Sequence, residues 1–331
     1  MAIVMAEKTR RSRMKRQGTG KRLDLTPRDL AIFELLERYR YLRSTFIHAF
    51  VGGASETRFK ERLGDLYHEG GYLNRPERQW ETAHSRCMPV VYENGERARE
   101  VLAMHGRLAE RCPHMPYGAS GAGRQFAHSL MICEVLAAIE LATVADPNLR
   151  FIAWPEILAK APEAVRNSNY PLRLPVPSSP AFSGKRAAWN GRFVVPDGLF
   201  GLEYLVRDEK SYRFFALEVD RGTMPVRRSN GAQSSYLGKL LAYRGIVEGS
   251  GHKYGLGIPN LLVLTVTTSE PRKASMMSAL SEEVGGNALF LFKAVPGSTP
   301  SERGRHGSDL ISGGHWERSG CPPLNVLRDS G

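Results

Sequence analysis

The stretch from Val195 to Tyr243 constrains this chain more than any other. It leaves a strand at Pro196-Asp197-Gly198, leaves a second at Glu218-Val219-Asp220, and closes on a helix carrying Gln233, Tyr236, Lys239 and Tyr243. Strand-like runs at Arg192–Val195, Phe200–Arg207 and Phe214–Val219 are separated by turns at Asp197-Gly198 and Asp208-Glu209-Lys210. Leu261–Thr267 is a continuous apolar run, the pattern of a strand buried on both faces. Before them lies a helix, Phe126–Ala145, ended by Asp146-Pro147. Another helix, Ala232–Glu248, separates the last two strands. The order helix, strand, strand, strand, helix, strand predicts an α/β domain over residues 125–295.

Two carboxylates brought to neighbouring strand ends suit a hard cation. Magnesium takes oxygen ligands and keeps several waters, so Asp197, Glu218 and the Val219 carbonyl would suffice, with Asp220 as a third candidate carboxylate. A cation nearby would stabilise charge developing on a phosphate. Tyr236, Lys239 and Tyr243 recur at helical spacing and share a face, which makes Lys239 the candidate. The same residues have plainer readings. Asp-Gly is turn chemistry, Glu-Val-Asp a strand leaving the core, Arg221 a partner for Asp220, and Leu240 an anchor on the Lys239 face. In the helix from Phe126, His128 and Glu134 interrupt an apolar surface. A lone histidine there reads as a satisfied core residue, whereas a buried carboxylate needs a partner.

The amino-terminal third has a different pattern. Thr26 and Pro27 open a helix as N-cap and first residue, and Leu30, Phe33 and Leu36 give it an apolar face. Ser44 is read as the cap of a short second helix with Phe46, Ile47 and Phe50. Ser55 starts a third, with Phe59, Leu63 and Leu66 inward and Arg58, Lys60 and Arg62 outward, stopped by Gly70-Gly71. Tyr72-Leu73 and Pro89–Tyr92 read as short strands joined by a polar, mobile segment, and a helix over 94–110 closes the domain. Three helices and a two-stranded wing form a winged helix-turn-helix over 23–110. In that arrangement the third helix enters the major groove, placing Arg58, Lys60 and Arg62 at phosphates or base edges.

The formal charge of +12 favours a polyanionic partner, double-stranded DNA first. Residues 1–22 hold eight of the basic residues (Lys8, Arg10, Arg11, Arg13, Lys15, Arg16, Lys21, Arg22) against Glu7 alone, so this segment is expected as a disordered basic arm. Residues 111–124 read as a Gly/Pro/Ser linker, and 296–331 as a second disordered tail. The four cysteines lack a CxxC, and His84, Cys87, Cys112 and His114 match no familiar zinc spacing. No run is read as reaching the roughly 18 apolar residues of a membrane span, so the expectation is a cytoplasmic protein without a membrane partner.

Several segments, in order, resemble the replication-relaxation proteins of plasmids and mobile elements, also called MobC-like. They are LTPRDLAIFELLERYRYLRSTFI, RLGDLYHEGGYLNR, FAHSLMICEVLAAIE, VVPDGLF, FALEVDRGT and KLLAYRG, and they cover roughly residues 23–293. The resemblance implies an α+β, two-domain protein: a winged helix followed by a restriction-endonuclease-like, PD-(D/E)XK α/β domain with a mixed sheet. It implies a role in plasmid replication, relaxation or mobilisation, with a relaxase or replication initiator as partner. One position departs from the nuclease pattern. The lysine expected two residues after the second acid is Asp220, which leaves Lys239 to supply the cation. Two readings stay open: Mg2+-dependent DNA nicking by Asp197, Glu218, Asp220 and Lys239, or a non-catalytic regulator or relaxosome accessory factor with a degenerate nuclease fold.

Overall fold

The computed structural model describes residues 11–53, 55–81, 87–108, 123–177, 193–227, 235–295 and 315–328. The chain divides into two compact units, Met1–Arg111 and Cys112–Gly331.

Unit 1 runs α1 (Pro27–Tyr39), β1 (Leu42–Arg43), α2 (Ser44–Val51), α3 (Glu56–His68), β2 (Leu73–Asn74), β3 (Val91–Asn94) and α4 (Glu96–Met104). The Thr26 hydroxyl caps α1 and the Asp29 carboxylate returns the bond to the Thr26 amide, so two orphan donors of the first turn are satisfied. The Ser55 hydroxyl caps α3 by accepting from the Arg58 amide. Ser44 does not cap α2; it is its first residue, and its amide donates to the Val90 carbonyl. Strand β3 pairs antiparallel with β1 on one side and β2 on the other, Leu42 opposite Tyr92 and Leu73 opposite Asn94. Ile32, Phe33, Leu36, Leu42, Ile47, Leu63, Leu66, Leu73 and Leu102 fill the core between helices and sheet. The segment between β2 and β3 is described in part. Gln79, in a 3-10 turn over Glu77–Glu81, accepts from the Val91 amide and donates to the Val91 carbonyl.

Residues 11–22, expected as part of a disordered basic arm, make specific contacts with unit 1 although residues 14–22 are exposed. They lie against α3, held by Arg11 on Asp65 and Glu69, Lys21 on Asp65, and the Thr19 and Gly20 amides on Glu69. The first ten residues lie outside the described set.

Unit 2 begins with α5 (Gly123–Val144) and β4 (Leu149–Ala153), then α6 (Trp154–Ala159), α7 (Glu163–Arg166), β5 (Leu174–Pro175) and β6 (Phe193–Val194). It continues with β7 (Gly198–Val206), β8 (Glu209–Asp220), α8 (Tyr236–Glu248), α9 (Gly251–Leu256), β9 (Leu262–Thr267), α10 (Glu270–Val284) and β10 (Phe290–Ala294). Of the expected linker, only residues 123–124 are described, and they belong to α5. β4, β7 and β8 form an antiparallel meander, and β9 and β10 add on parallel to β8. The hairpin between β7 and β8 turns on Arg207 and Asp208, both at positive φ, as a two-residue turn matched to strand twist requires. The tail expected to be disordered supplies β11 (Trp316–Arg318) and β12 (Cys321–Leu324), which extend the mixed sheet to the order β12-β11-β10-β9-β8-β7-β4 among the described residues. Trp316 is fully buried there, and the Tyr204 hydroxyl donates to the Val326 carbonyl at 2.6 Å. A separate two-stranded sheet joins β5 and β6.

Side-chain alternation assigns the two faces of the sheet. Leu199, Phe214 and Ala216 join Leu237, Leu240, Ile246, Met276 and Leu280 in one core under α8 and α10. On the other face Phe151, Phe200 and Phe215 stack successively, and Gly198 sits against Leu136 of α5. Phe126–Val144 is long and apolar enough to cross a membrane, a length that the reading of the sequence did not find. Here Ile132, Cys133, Val135, Ala137 and Ile139 of that helix are buried within the unit.

The Asp29 carboxylate ties α1 to α3, because Arg62 grips both of its oxygens at 3.0 and 2.5 Å. Burial alone would raise the Asp29 pKa, but Arg62 and Thr26 outweigh it and hold it below the ordinary aspartate value. Asp29→Asn is therefore expected to destabilise unit 1 by roughly 3–5 kcal/mol, the range for a broken buried ion pair. Because the folded pKa is depressed, this stabilisation is present above the ordinary aspartate range and is lost as pH falls through the folded value. Amide hydrogen exchange of unit 1 across that acid range should show a steeper loss for wild type than for Asp29→Asn.

Candidate active site at the strand ends of unit 2

The amino end of β7 and the carboxyl end of β8 coincide, since Gly198 pairs with Leu217. That register brings Asp197, just before β7, to Glu218 and Val219 of β8. The Val219 amide donates to Asp197 Oδ2 at 2.9 Å, which fixes the carboxylate at the sheet rim. Asp197 Oδ1 faces His128 Nε2 at 3.3 Å, from the first half of α5. Glu218 projects towards α8, where Lys239 Nζ bonds Oε2 and the Tyr243 hydroxyl donates to Oε1 at 2.5 Å. Tyr236, one turn before Lys239, shares a hydrogen bond with Thr265 of β9, so α8 is pinned to two strands at once. Side-chain exposure runs from 3% at Glu218 and 14% at Lys239 to 18% at Asp197 and 34% at His128. Solvent therefore reaches the cluster from the His128 side.

Burial and charged partners compete over the protonation of these groups, and burial prevails only at Glu218. It pushes Glu218 up to about 7; Lys239 resists that rise and Asp197 adds to it. Burial disfavours the Lys239 charge, but the Glu218 and Asp197 carboxylates more than compensate and raise its pKa. The same competition lowers Asp197, where Lys239, His128 and the Val219 amide overcome burial. His128 rises, because Asp197 and Glu218 outweigh its own desolvation. Burial and specific partners thus shift four neighbouring groups together, which marks the cluster as a candidate site.

Asp220 does not join this cluster. Arg272 of α10 takes both its oxygens, at 2.9 and 3.1 Å, and the Thr267 hydroxyl and Gly222 amide donate to Oδ2 at 3.1 and 3.0 Å. The third carboxylate expected at a metal is thus engaged by protein donors. Among the described residues, no group of three or more His, Cys, Asp or Glu side chains is arranged to hold a metal ion. Asp197 and Glu218 remain as two oxygen donors, the number that magnesium commonly takes from protein beside its waters. Of the sequence-predicted residues, Asp197, Glu218 and Lys239 converge and Asp220 stands apart with Arg272. His128 and Arg272 were not read as site residues. The first looked like a core histidine, and nothing in the spacing of α10 links Arg272 to β8. Of the weighed zinc residues only Cys87 is described, and it is exposed.

The outward cations expected on α3 also separate. Arg62 is committed to Asp29, and Lys60 pairs with Glu56 one turn back on the exposed face. Arg58 is exposed.

Removing one partner of the Asp220–Arg272 pair should expose the cost of the other. Arg272→Met is expected to destabilise unit 2 by roughly 3–5 kcal/mol, while adding Asp220→Asn should recover most of the loss. Urea unfolding of the two variants checks this, and a double variant no more stable than the single one would refute the assignment.

Comparison with curated proteins and with solved structures brings no match. Residues 33–260, more than half of the chain, match the family described as replication-relaxation. That span takes in α1 from Phe33 onward, α2 to α4 and the whole meander, with Asp197, Glu218 and Lys239. The chain belongs to the replication-relaxation family.

Proposed function

We propose that this protein is a DNA-binding factor of plasmid replication or mobilisation whose second unit carries a magnesium-dependent DNA-nicking site. The family supports the plasmid role. The finer reading rests chiefly on one observation: Lys239 sits on Glu218 beside Asp197, although the three come from separate segments and the linear motif lacks its lysine. The order α5, β4, β7, β8, α8, β9, with β9 parallel to β8, supports a PD-(D/E)XK-like core.

Asp197 and Glu218 would hold the metal, and magnesium there supplies polarisation of the scissile phosphodiester and a more acidic water. Lys239 provides positive charge where negative charge grows on the phosphate. Tyr243 and the Val219 amide orient the two carboxylates, and His128 holds a proton at Nε2 on the open side of the site. Asp220, neutralised by Arg272, does not repel the incoming phosphate. A non-catalytic regulator or relaxosome accessory factor is the second reading. It is favoured by the saturation of Glu218, both of whose oxygens already accept bonds from α8.

Supercoiled plasmid incubated with magnesium, and with EDTA, decides between them. Nicking is expected with the metal, with a loss of about 100-fold or more in Glu218→Ala and Lys239→Ala, the scale of a lost charge-stabilising group. Supercoils left intact while the DNA still shifts on a gel would establish the second reading.

Unit 1, read as a winged helix, supplies the duplex grip through α3. Arg58→Ala should weaken duplex binding across sequences and lower the slope of log affinity against log salt by about one, as for a lost phosphate contact. A slope unchanged by the substitution would remove Arg58 from the interface. Relaxase or replication-initiator partners belong to the same proposal and follow from the family role alone.

A further inference from the structure

The outer stripe of α3 is half covered by its own chain. Thr57, Lys60, Glu61, Gly64 and His68 recur at helical spacing on the side away from Phe59, Leu63 and Leu66. The first three are exposed, whereas Gly64 and His68 are buried. The cover is the segment Arg11–Lys21. Its anchors are two carboxylates, Asp65 in α3 and Glu69 at its carboxyl-terminal cap, which take Arg11 at 2.7 and 2.9 Å, and Lys21 at 2.6 Å on Asp65. Glu69 also accepts the Thr19 and Gly20 amides and the Thr19 hydroxyl. His68 accepts the Gln17 amide through Nδ1 at 3.0 Å, a role that only its neutral form can fill. Burial and the adjacent Arg75 and Arg11 keep it neutral by lowering its pKa to about 4. Arg75 donates to the Arg13 carbonyl, and Arg16 lies over the Tyr67 ring and donates to the Leu73 carbonyl.

Charge decides what this contact means for a polyanion. With the segment lifted away, the outer side of α3 would show phosphates the carboxylates of Asp65 and Glu69 beside that of Glu61. With it in place, Arg11 and Lys21 meet Asp65 and Glu69, and the segment brings Arg13, Lys15, Arg16 and Arg22 to unit 1 as four further cations. Lys15, Arg16, Lys21 and Arg22 are exposed.

We infer that residues 11–22 are a docked part of the DNA-contacting surface, with Asp65 and Glu69 as anchors that turn an acidic side of α3 into a cationic one facing the phosphate backbone. The inference rests on the reading of unit 1 as a duplex-binding module. It makes a prediction opposite to charge counting. Removing two negative charges should strengthen DNA binding by simple electrostatics, but here it releases the cations that the carboxylates position.

The test uses the full chain and a fluorescein-labelled duplex of mixed sequence, read by anisotropy over a salt series. Asp65→Asn/Glu69→Gln is expected to bind about tenfold more weakly, with a shallower salt slope, and to be cut faster by trypsin after Lys15 and Arg16. Arg11→Gln and Arg22→Gln each remove one cation and provide the second comparison, which needs no change in α3. The anchoring Arg11 should cost more affinity than the exposed Arg22, whereas charge counting makes the two equal. Equal or tighter binding by the double variant, or equal effects of the two arginine variants, would overturn the inference and leave duplex binding standing. A wild-type chain that does not bind the duplex would overturn both.

Discussion

Buried charge has to be paired, and in unit 2 that requirement falls on the end of β8. Glu218 and Asp220 are two residues apart on one strand, so they project to the same face, and both are nearly inaccessible to water. Neither could stay ionised in an apolar core without a countercharge and hydrogen bonds. Each obtains them from a different helix: Lys239 and Tyr243 of α8 serve Glu218, and Arg272 of α10 serves Asp220. The helix layer on this face is therefore positioned by polar contacts as well as by the apolar core beneath it. Placing Asp197 beside Glu218 through the Val219 amide then comes from the β7–β8 register with no further device.

The same requirement changes the meaning of the net charge in unit 1. A surplus of basic residues suggests a free electrostatic surface, yet much of it is committed within the fold. Arg62 serves Asp29, Arg11 and Lys21 serve Asp65, and Arg99 serves Glu37. Other arginines are held by aromatic faces, Arg75 between Tyr67 and Tyr92 and Arg28 over Phe59. Such stacking keeps a guanidinium partly desolvated and fixes its direction. What faces solvent is a smaller and better oriented set of cations than the composition implies.

These commitments explain what the sequence could and could not reveal. The helices of unit 1 and the strands of unit 2 were legible because local signals agree with the fold: the Thr26-Pro27 start, the Ser55 cap, the continuous apolar run of β9. The convergence of Asp197, Glu218 and Lys239 was legible because strand ends and helical spacing are local too. The basic arm and the carboxyl-terminal strands were not. Arg11 meets Asp65 across 54 positions, and Tyr204 meets Val326 across 122, so no window of sequence contains both partners. In the tail, Gly, Ser and Pro dilute a pattern that depends on a few buried residues, Trp316, Leu324 and Val326. Composition registers the dilution and misses the anchors.

Asp220 shows how far a motif departure can mislead when its charge is considered alone. At that position a lysine would have pointed into the same helix layer and supplied the cation for Glu218 from within β8. With aspartate there, the cation comes from α8, and the freed position binds Arg272, whose guanidinium also reaches the Met224 carbonyl beyond the strand end. The exchange conserves the charge balance of the site: two carboxylates on the strand, two cations on the helices. It also ties α10 and the chain after β8 to the sheet, which a lysine facing Glu218 could not do. On the nicking proposal the departure removes no charge that the site needs, and a loss of chemistry would be sought in the accessibility of Glu218, whose two oxygens α8 already occupies.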